Sequence, residues 1–274
     1  MAALRIFSYL PNPRVAKATI AARLTGVEVE LRGARPDELS GWLWDYDARA
    51  LAPGEEARFA DLGRTAKTGF TTRLFKTDRF LAAHPFGTVP AAFGPEGEVG
   101  IFESNSIMRA VARLGEDKAK LYGTGPYDAS RIDSFLDVTL VFACQTQVYL
   151  LSLRGGHMTA EIRAATESAT TSFLGGIERA LEGSAFIAGP ALSLADIAFA
   201  AEIALLHNEL DRRETLEKAG FAPLLGDRMR TAFPRTFAHF DGLRAHPAFA
   251  PDLEPYLNAL GVPAIALAER TADS

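Results

Sequence analysis

Two helix starts in this 274-residue chain carry a hydroxyl beside a carboxylate. Glu103-Ser104-Asn105-Ser106-Ile107 leads from a β-prone stretch into residues with helical apolar spacing, so a helix should open at Ser104. A helix N-terminus has free backbone N–H groups and a partial positive charge, which suits an anion. Taken alone, the same pair is also what a plain helix cap looks like. Ser193 and Asp196, in Leu192-Ser193-Leu194-Ala195-Asp196-Ile197, have the spacing of a capping box with Asp in the usual Glu place, so their role reads as structural. The other chemistry-bearing types are scattered. His84, His157, His207, His239 and His246 show no His-x-x-x-His or Glu-x-x-His spacing, and no metal site is expected. Gly-x-Ser-x-Gly and the phosphate loop Gly-x-x-x-x-Gly-Lys are missing, and Gly123-Thr124-Gly125 runs into Pro126 instead of opening a helix after a strand. Cys144 is the single cysteine, which rules out an intramolecular disulfide and a thiolate framework for zinc. In an apolar helix it reads as a small core residue.

The elements that must position these residues fall into two halves. Residues 4–10 form a β-prone run that stops at Pro11-Asn12-Pro13. Asn12 is a favoured N-cap and Pro13 suits the first helical position, while Val15, Ala18 and Ala22 recur at helical spacing before Gly26. Val27 to Leu31 alternates apolar and acidic, the pattern of a half-exposed strand, so the chain opens β-α-β with a parallel pair. Residues 33–79 are rich in Gly and Pro, contain both tryptophans and read as a long loop, of a length that is often functional. Val89 to Phe93 and Val99 to Phe102 flank Gly94-Pro95-Glu96-Gly97 as a hairpin. The helix from Ser104 to about Leu114 closes the first domain, residues 1–114. Residues 115–126 read as a linker. Residues 127–274 hold helices at 129–154, 159–182, 193–210, 212–219 and 224–245 and no strand, with a frayed end. The expected fold is thus an α/β thioredoxin-like domain followed by an all-α domain.

Composition narrows the function classes. Hydrophobic residues make up 48% and charged residues 23%, the balance of a globular protein. The net charge of −5 argues against a nucleic-acid partner, because the cluster Arg64, Lys67, Arg73, Lys76 and Arg79 is interleaved with Asp61 and Asp78. Without a basic start followed by an apolar run, or a stretch of ~18 uncharged apolar residues, no membrane partner is expected and the expected location is cytoplasmic.

Three motifs carry a resemblance. His84-Pro85-Phe86-Gly87-Thr88-Val89-Pro90 resembles the Asn-Pro-x-Gly-x-Val-Pro of cytosolic glutathione transferases, Phe102-Glu103-Ser104-Asn105-Ser106-Ile107 resembles their Glu-Ser-x-Ala/Ser-Ile, and Phe186 to Ile197 is similar to the segment before their buried helix. Phe7-Ser8-Tyr9-Leu10-Pro11-Asn12-Pro13-Arg14-Val15-Ala16-Lys17 looks most like the elongation factor 1B gamma and fungal-type subgroup. The resemblance spans about residues 4–31 and 80–245, and the loop at 33–79 departs from it. It implies glutathione as the bound cofactor. The Val89–Pro90 bond would be cis, which an X-Pro bond adopts at a cost of only roughly 0.5–1 kcal/mol, and the Val89 backbone would pair with the peptide as an added strand does. Ser104 would hold the γ-glutamyl carboxylate and Glu103 its ammonium, with Arg14, Thr88 and Pro90 also at the glutathione site.

A transferase must favour the glutathione thiolate, because the thiolate is the nucleophile. A thiol of pKa ~8.5 needs only about 2.7 kcal/mol of preferential stabilisation to drop two units. The candidates lie between strand one and helix one: Asn12 first, Ser8 second, and Tyr9 as a hydroxyl donor. Asn12 could equally have its amide consumed as the N-cap. A hydrophobic small-molecule electrophile would sit between the domains, lined by Trp42, Trp44, Phe142, Gln145 and Tyr149, with capping of the core the other role for these aromatics. The family's range includes cleavage of aryl ethers by glutathione attack at carbon. It also implies a homodimer, or a heterodimer with a related subunit. The alternative is a non-catalytic interaction module of the same fold.

Overall fold

The computed structural model describes residues 2–65, 72–97, 99–115 and 120–264. Lys67 of the basic cluster, part of the expected linker and the end of the expected frayed tail lie outside them. The chain divides into two compact units, Met1–Ala119 and Lys120–Ser274.

In the first unit, β1 (Leu4–Tyr9), α1 (Pro13–Thr25) and β2 (Val29–Ala34) form the expected β-α-β opening, with β1 and β2 parallel. Asn12 caps α1 and Gly26, at φ 74°, ends it in the left-handed conformation that glycine adopts without steric cost. Gly33 faces Ser8 across the pair at φ 151°, and a Cβ there would lie 1.7 Å from the Ser8 carbonyl oxygen, so only glycine lets β2 approach β1 at this point.

The segment expected to be a loop is instead a second small sheet. It contains β3 (Trp42–Trp44), β4 (Arg49–Ala50), a single helical turn α2 (Glu55–Arg58), β5 (Gly63–Thr65) and β6 (Arg73–Lys76), in the order β4-β3-β6-β5. Strands of two to four residues are too short to show a period, and β3 pairs with β6 some 30 residues away, so no local signal announced them. The short α3 (Asp78–Ala83) follows, then β7 (Ala91–Phe93), β8 (Gly100–Phe102) and α4 (Ser104–Leu114). The main sheet runs β2-β1-β7-β8, with β7 antiparallel to both its neighbours. Phe7, Leu39, Trp44, Leu74, Phe80 and Phe93 share one core, so the inserted sheet packs on the main one. The basic residues of the insertion serve this packing. Lys76 donates to the Gly87 carbonyl at 2.7 Å and lies over Trp44, while Arg79 donates to the Glu96 carbonyl and lies over Tyr46.

The second unit is all helical: α5 (Pro126–Gly155), α6 (Ala160–Ala180), α7 (Leu194–Leu206), α8 (Arg213–Lys218), α9 (Asp227–Ala232), α10 (Pro234–Ala245) and α11 (Ala250–Ala259). The region expected as one helix at 224–245 is split at Phe233-Pro234, where a proline starts a new helix. Every residue of α7 is buried, which makes it the core of this unit. By length and composition α5 is long and apolar enough to cross a membrane, with a mean hydropathy of 1.4 over its best 18 residues. Its inner face, including Leu136, Phe142, Tyr149 and Leu153, is buried within the unit, and α5 packs on α6 and α7.

Candidate functional site

The end of β1 and the start of α1 bring Ser8 and Asn12 together. Both are buried, and the Asn12 Nδ2 donates to Ser8 Oγ at 3.1 Å. Asn12 Oδ1 accepts from the Arg14 N–H at 2.9 Å, so the amide is engaged as a helix cap at its oxygen and to Ser8 at its nitrogen. This arrangement leaves the Ser8 hydroxyl proton, and the second Nδ2 hydrogen, as the donors the pair can still offer. Tyr9 is half-buried and packs against the core of the unit.

The loop before β7 is held from below. His84 is fully buried, stacked on Phe102 at 4.6 Å, and its Nε2 lies 3.0 Å from the Thr88 carbonyl oxygen and 3.1 Å from the Thr88 N. Burial, and next to it Lys76, hold the imidazole below its ordinary pKa, against the opposing bond to Thr88. The single ring nitrogen Nε2 either accepts from the Thr88 N–H or donates to its carbonyl, so His84 engages one backbone group of Thr88 at a time. Val89 follows it half-buried, with a cis bond to buried Pro90, as the resemblance implied. Neither backbone group of Val89 makes a hydrogen bond with another described residue.

Across β8, Glu103 sits at the N-cap of α4 with φ 65° and ψ 124°, a conformation that costs a non-glycine residue about 1–3 kcal/mol. Its side chain is exposed and makes no cap bond, and its carbonyl accepts from the N–H groups of Ser106 and Ile107. Ser104 and Asn105 are buried behind it. Lys17 of α1, 1% exposed, reaches both: its Nζ donates to Ser104 Oγ at 3.1 Å and to Asn105 Oδ1 at 2.8 Å. An ammonium can only donate, so the Ser104 oxygen accepts there and its own proton points elsewhere. Sequence reasoning gave Lys17 and His84 no role. The available signal was a long cation as the one charge on the stretch Val15 to Ala22.

The residues expected to line an electrophile pocket are mostly core. Trp44 is 1% exposed, its Nε1 donating to the Leu39 carbonyl at 3.1 Å. Phe142 stacks on Phe173 at 4.3 Å inside the helical unit. Tyr149 is fully buried and donates to Glu209 at 2.8 Å, in a network with Arg163. Burial raises both the Tyr149 hydroxyl and the Glu209 carboxyl above their ordinary ranges. These three side chains fill the interior, which is where large apolar area is most stabilising. Trp42 is half-buried and stacks on Phe7 at 5.9 Å, and Gln145 is half-buried with its Nε2 3.5 Å from Thr166 Oγ1. Cys144, expected in the core, is exposed instead, because it falls on the outer face of α5 between the inward positions Ala143 and Thr146. Among the described residues no cluster of three His, Cys, Asp or Glu side chains could hold a metal.

No protein-family model matches the chain. It is 25% identical over 266 residues to a probable elongation factor 1-gamma 1 of Arabidopsis thaliana, covering 96% of this chain and 52% of that one. It is 30% identical over 130 residues to glutathione S-transferase F9 of the same plant, covering 45% and 60%. The chain spans about half the length of the first curated relatives it matches. A solved glutathione S-transferase from Methylobacillus flagellatus KT with GSH bound shares its fold at a TM-score of 0.61 and 12% identity, over 91% of this chain and 98% of that one. An α/β thioredoxin-like unit followed by a helical unit is the fold that this chain shares with that solved structure.

Proposed function

We propose that the first unit binds glutathione and presents its thiolate to a hydrophobic small-molecule electrophile. The observation that carries this reading is two sets of unspent groups on either side of β7 and β8: the N–H and C=O of Val89, which bond to no other described residue, and the hydroxyl proton of Ser104 at the start of α4, which no other described residue accepts. The first suits a peptide backbone, as a strand added at an edge would. The second suits a carboxylate, helped by the first-turn N–H groups and the helix dipole. Exposed Glu103 is available to the ligand's ammonium. For the thiol, the Ser8 hydroxyl, fixed by Asn12, is the donor favoured by the geometry, with the second Asn12 proton beside it. Nothing in the relatives supports an aryl ether as the electrophile. Assembly as a dimer, with itself or with a related subunit, is supported by the exposed apolar residues Val138, Val141 and Val148 on one side of α5.

A second reading, a non-catalytic module, is favoured by the near-complete coverage of this chain by the elongation factor relative. Calorimetry with glutathione, followed by ultraviolet titration of the bound thiol, separates the two. Binding with a thiol pKa lowered by about two units, worth about 2.7 kcal/mol, is the result expected of an enzyme. Binding with an unshifted thiol favours the module, and no heat at millimolar glutathione ends the enzyme reading.

A further inference from the structure

We infer that Lys17 is a positioning residue that makes the start of α4 selective for a carboxylate, by fixing the Ser104 hydroxyl as a donor. The inference rests on the glutathione reading above and adds to it a group that touches no ligand atom itself. A serine hydroxyl is normally ambivalent: it rotates to donate to an anion or to accept from an ammonium. Here the ammonium of Lys17, 3.1 Å from Ser104 Oγ, narrows that freedom: it takes one of the oxygen's two lone pairs, puts a positive charge beside the other that repels a ligand ammonium, and cannot itself accept the hydroxyl proton. The same ammonium donates to Asn105 Oδ1 at 2.8 Å, which pins the lysine to two consecutive residues of the first turn. Ser104 gives its proton to no other described residue, so the proton is left for a ligand.

The geometry also divides the work with Glu103. A γ-glutamyl group carries a carboxylate and an ammonium on the same carbon. A first turn holding a serine biased towards donating, followed in space by an exposed carboxylate, distinguishes the two ends. Lys17 is 1% exposed, so its contribution passes through a dry interior, where hydrogen bonds to charged groups are strengthened.

The test uses the whole chain and two ligands: glutathione, and 4-aminobutyryl-cysteinyl-glycine, which lacks only the carboxylate that Ser104 would hold. Calorimetry on the parent chain should give at least ~10-fold tighter binding of glutathione, the factor expected for a charge-assisted hydrogen bond. In Lys17→Met the preference should shrink to about 2-fold, chiefly through weaker glutathione binding, and Lys17→Arg should restore most of it. An equal loss for both ligands, with the preference intact, would show that Lys17 only supports the fold and would overturn the assignment while leaving the glutathione reading in place. Should the methionine variant fail to fold, Lys17→Gln, which keeps a donor but can also accept, takes its place with the same narrowing expected. A parent chain that binds neither ligand at millimolar concentration removes the glutathione reading, and the role of Lys17 with it.

Discussion

The starts of α4 and α7 are built from the same residue types and do opposite things. At α7, Ser193 and Asp196 complete a reciprocal capping box: Asp196 accepts from the Ser193 N–H at 2.9 Å, from Ser193 Oγ at 3.0 Å, from the Ile187 N–H at 3.0 Å and from His239 Nε2 at 2.9 Å. Asp196 is fully buried and its oxygens are saturated. The other end of α7 is closed as well, by the His207 ring, whose Nδ1 lies 2.8 Å from the Ile203 carbonyl oxygen. At α4 the acid precedes the serine. Glu103 is turned out to solvent at positive φ, makes no cap, and leaves the first turn to Ser104 and the lysine beneath it. A helix start that satisfies itself stabilises the fold, whereas one that spends backbone strain to stay open is arranged for something outside the chain.

The sharpest way to break this contrast is at Asp196. Asp196→Ala strips the acceptor from four donors and should cost about 3–5 kcal/mol, read as a lowered urea midpoint, with glutathione affinity unchanged in the folded fraction. A loss below about 1 kcal/mol would mean that the closed cap is no more than an ordinary one.

The next largest effect is pH-dependent and belongs to the closing end of α7. Burial, with Arg230 and Arg244 nearby, pushes the His207 imidazole down from 6.5 to about 4. Below pH 6.5 the unfolded chain takes up a proton that the folded chain refuses, so this contribution is complete above pH 6.5 and fades as pH falls towards 4. Its full size is about 3 kcal/mol. Urea titrations at pH 7 and pH 5 should show parent stability falling more steeply than that of His207→Gln. Parallel slopes would reject a neutral buried imidazole.

Smallest, but most diagnostic, is a pair of substitutions of opposite sign. Ser193→Ala should destabilise by about 1 kcal/mol and leave ligand binding untouched. Glu103→Gly relieves the positive φ and should stabilise by about 1 kcal/mol while weakening glutathione binding. If both variants lose stability and neither alters binding, the two helix starts are the same kind of object.

How much of this was legible from sequence differs from residue to residue. The Asn12 cap, the Gly26 stop, the start of α4 at Ser104 and the Ser193–Asp196 box were all readable, because each depends on residues a few positions apart and on local hydrogen bonding. The inserted sheet was not, since β3 and β6 find one another only through Trp44, Leu74 and their shared core with Phe7. Trp44, Phe142 and Tyr149 read as pocket lining from their aromatic type and from their place in the long loop and the first helix of the second domain, and neither says whether a large ring faces a cleft or an interior. Cys144 failed for the mirror reason: one helical step of 100° separates the buried Ala143 from the exposed face.

By itself, then, the sequence determined the order of elements, their caps and the motifs that resemble those of glutathione transferases, all of which are short-range features of backbone sterics and periodicity. Only the tertiary structure decided that Lys17 lies under Ser104 and that His84 holds Thr88 beside Val89, whose backbone bonds to no other described residue. It also closed the α7 cap with His239, 43 residues downstream of Asp196. Those contacts join positions that no local rule links. They exist because burying the apolar faces of α1, the inserted sheet and α7 carries polar groups into the interior, where each must find a partner.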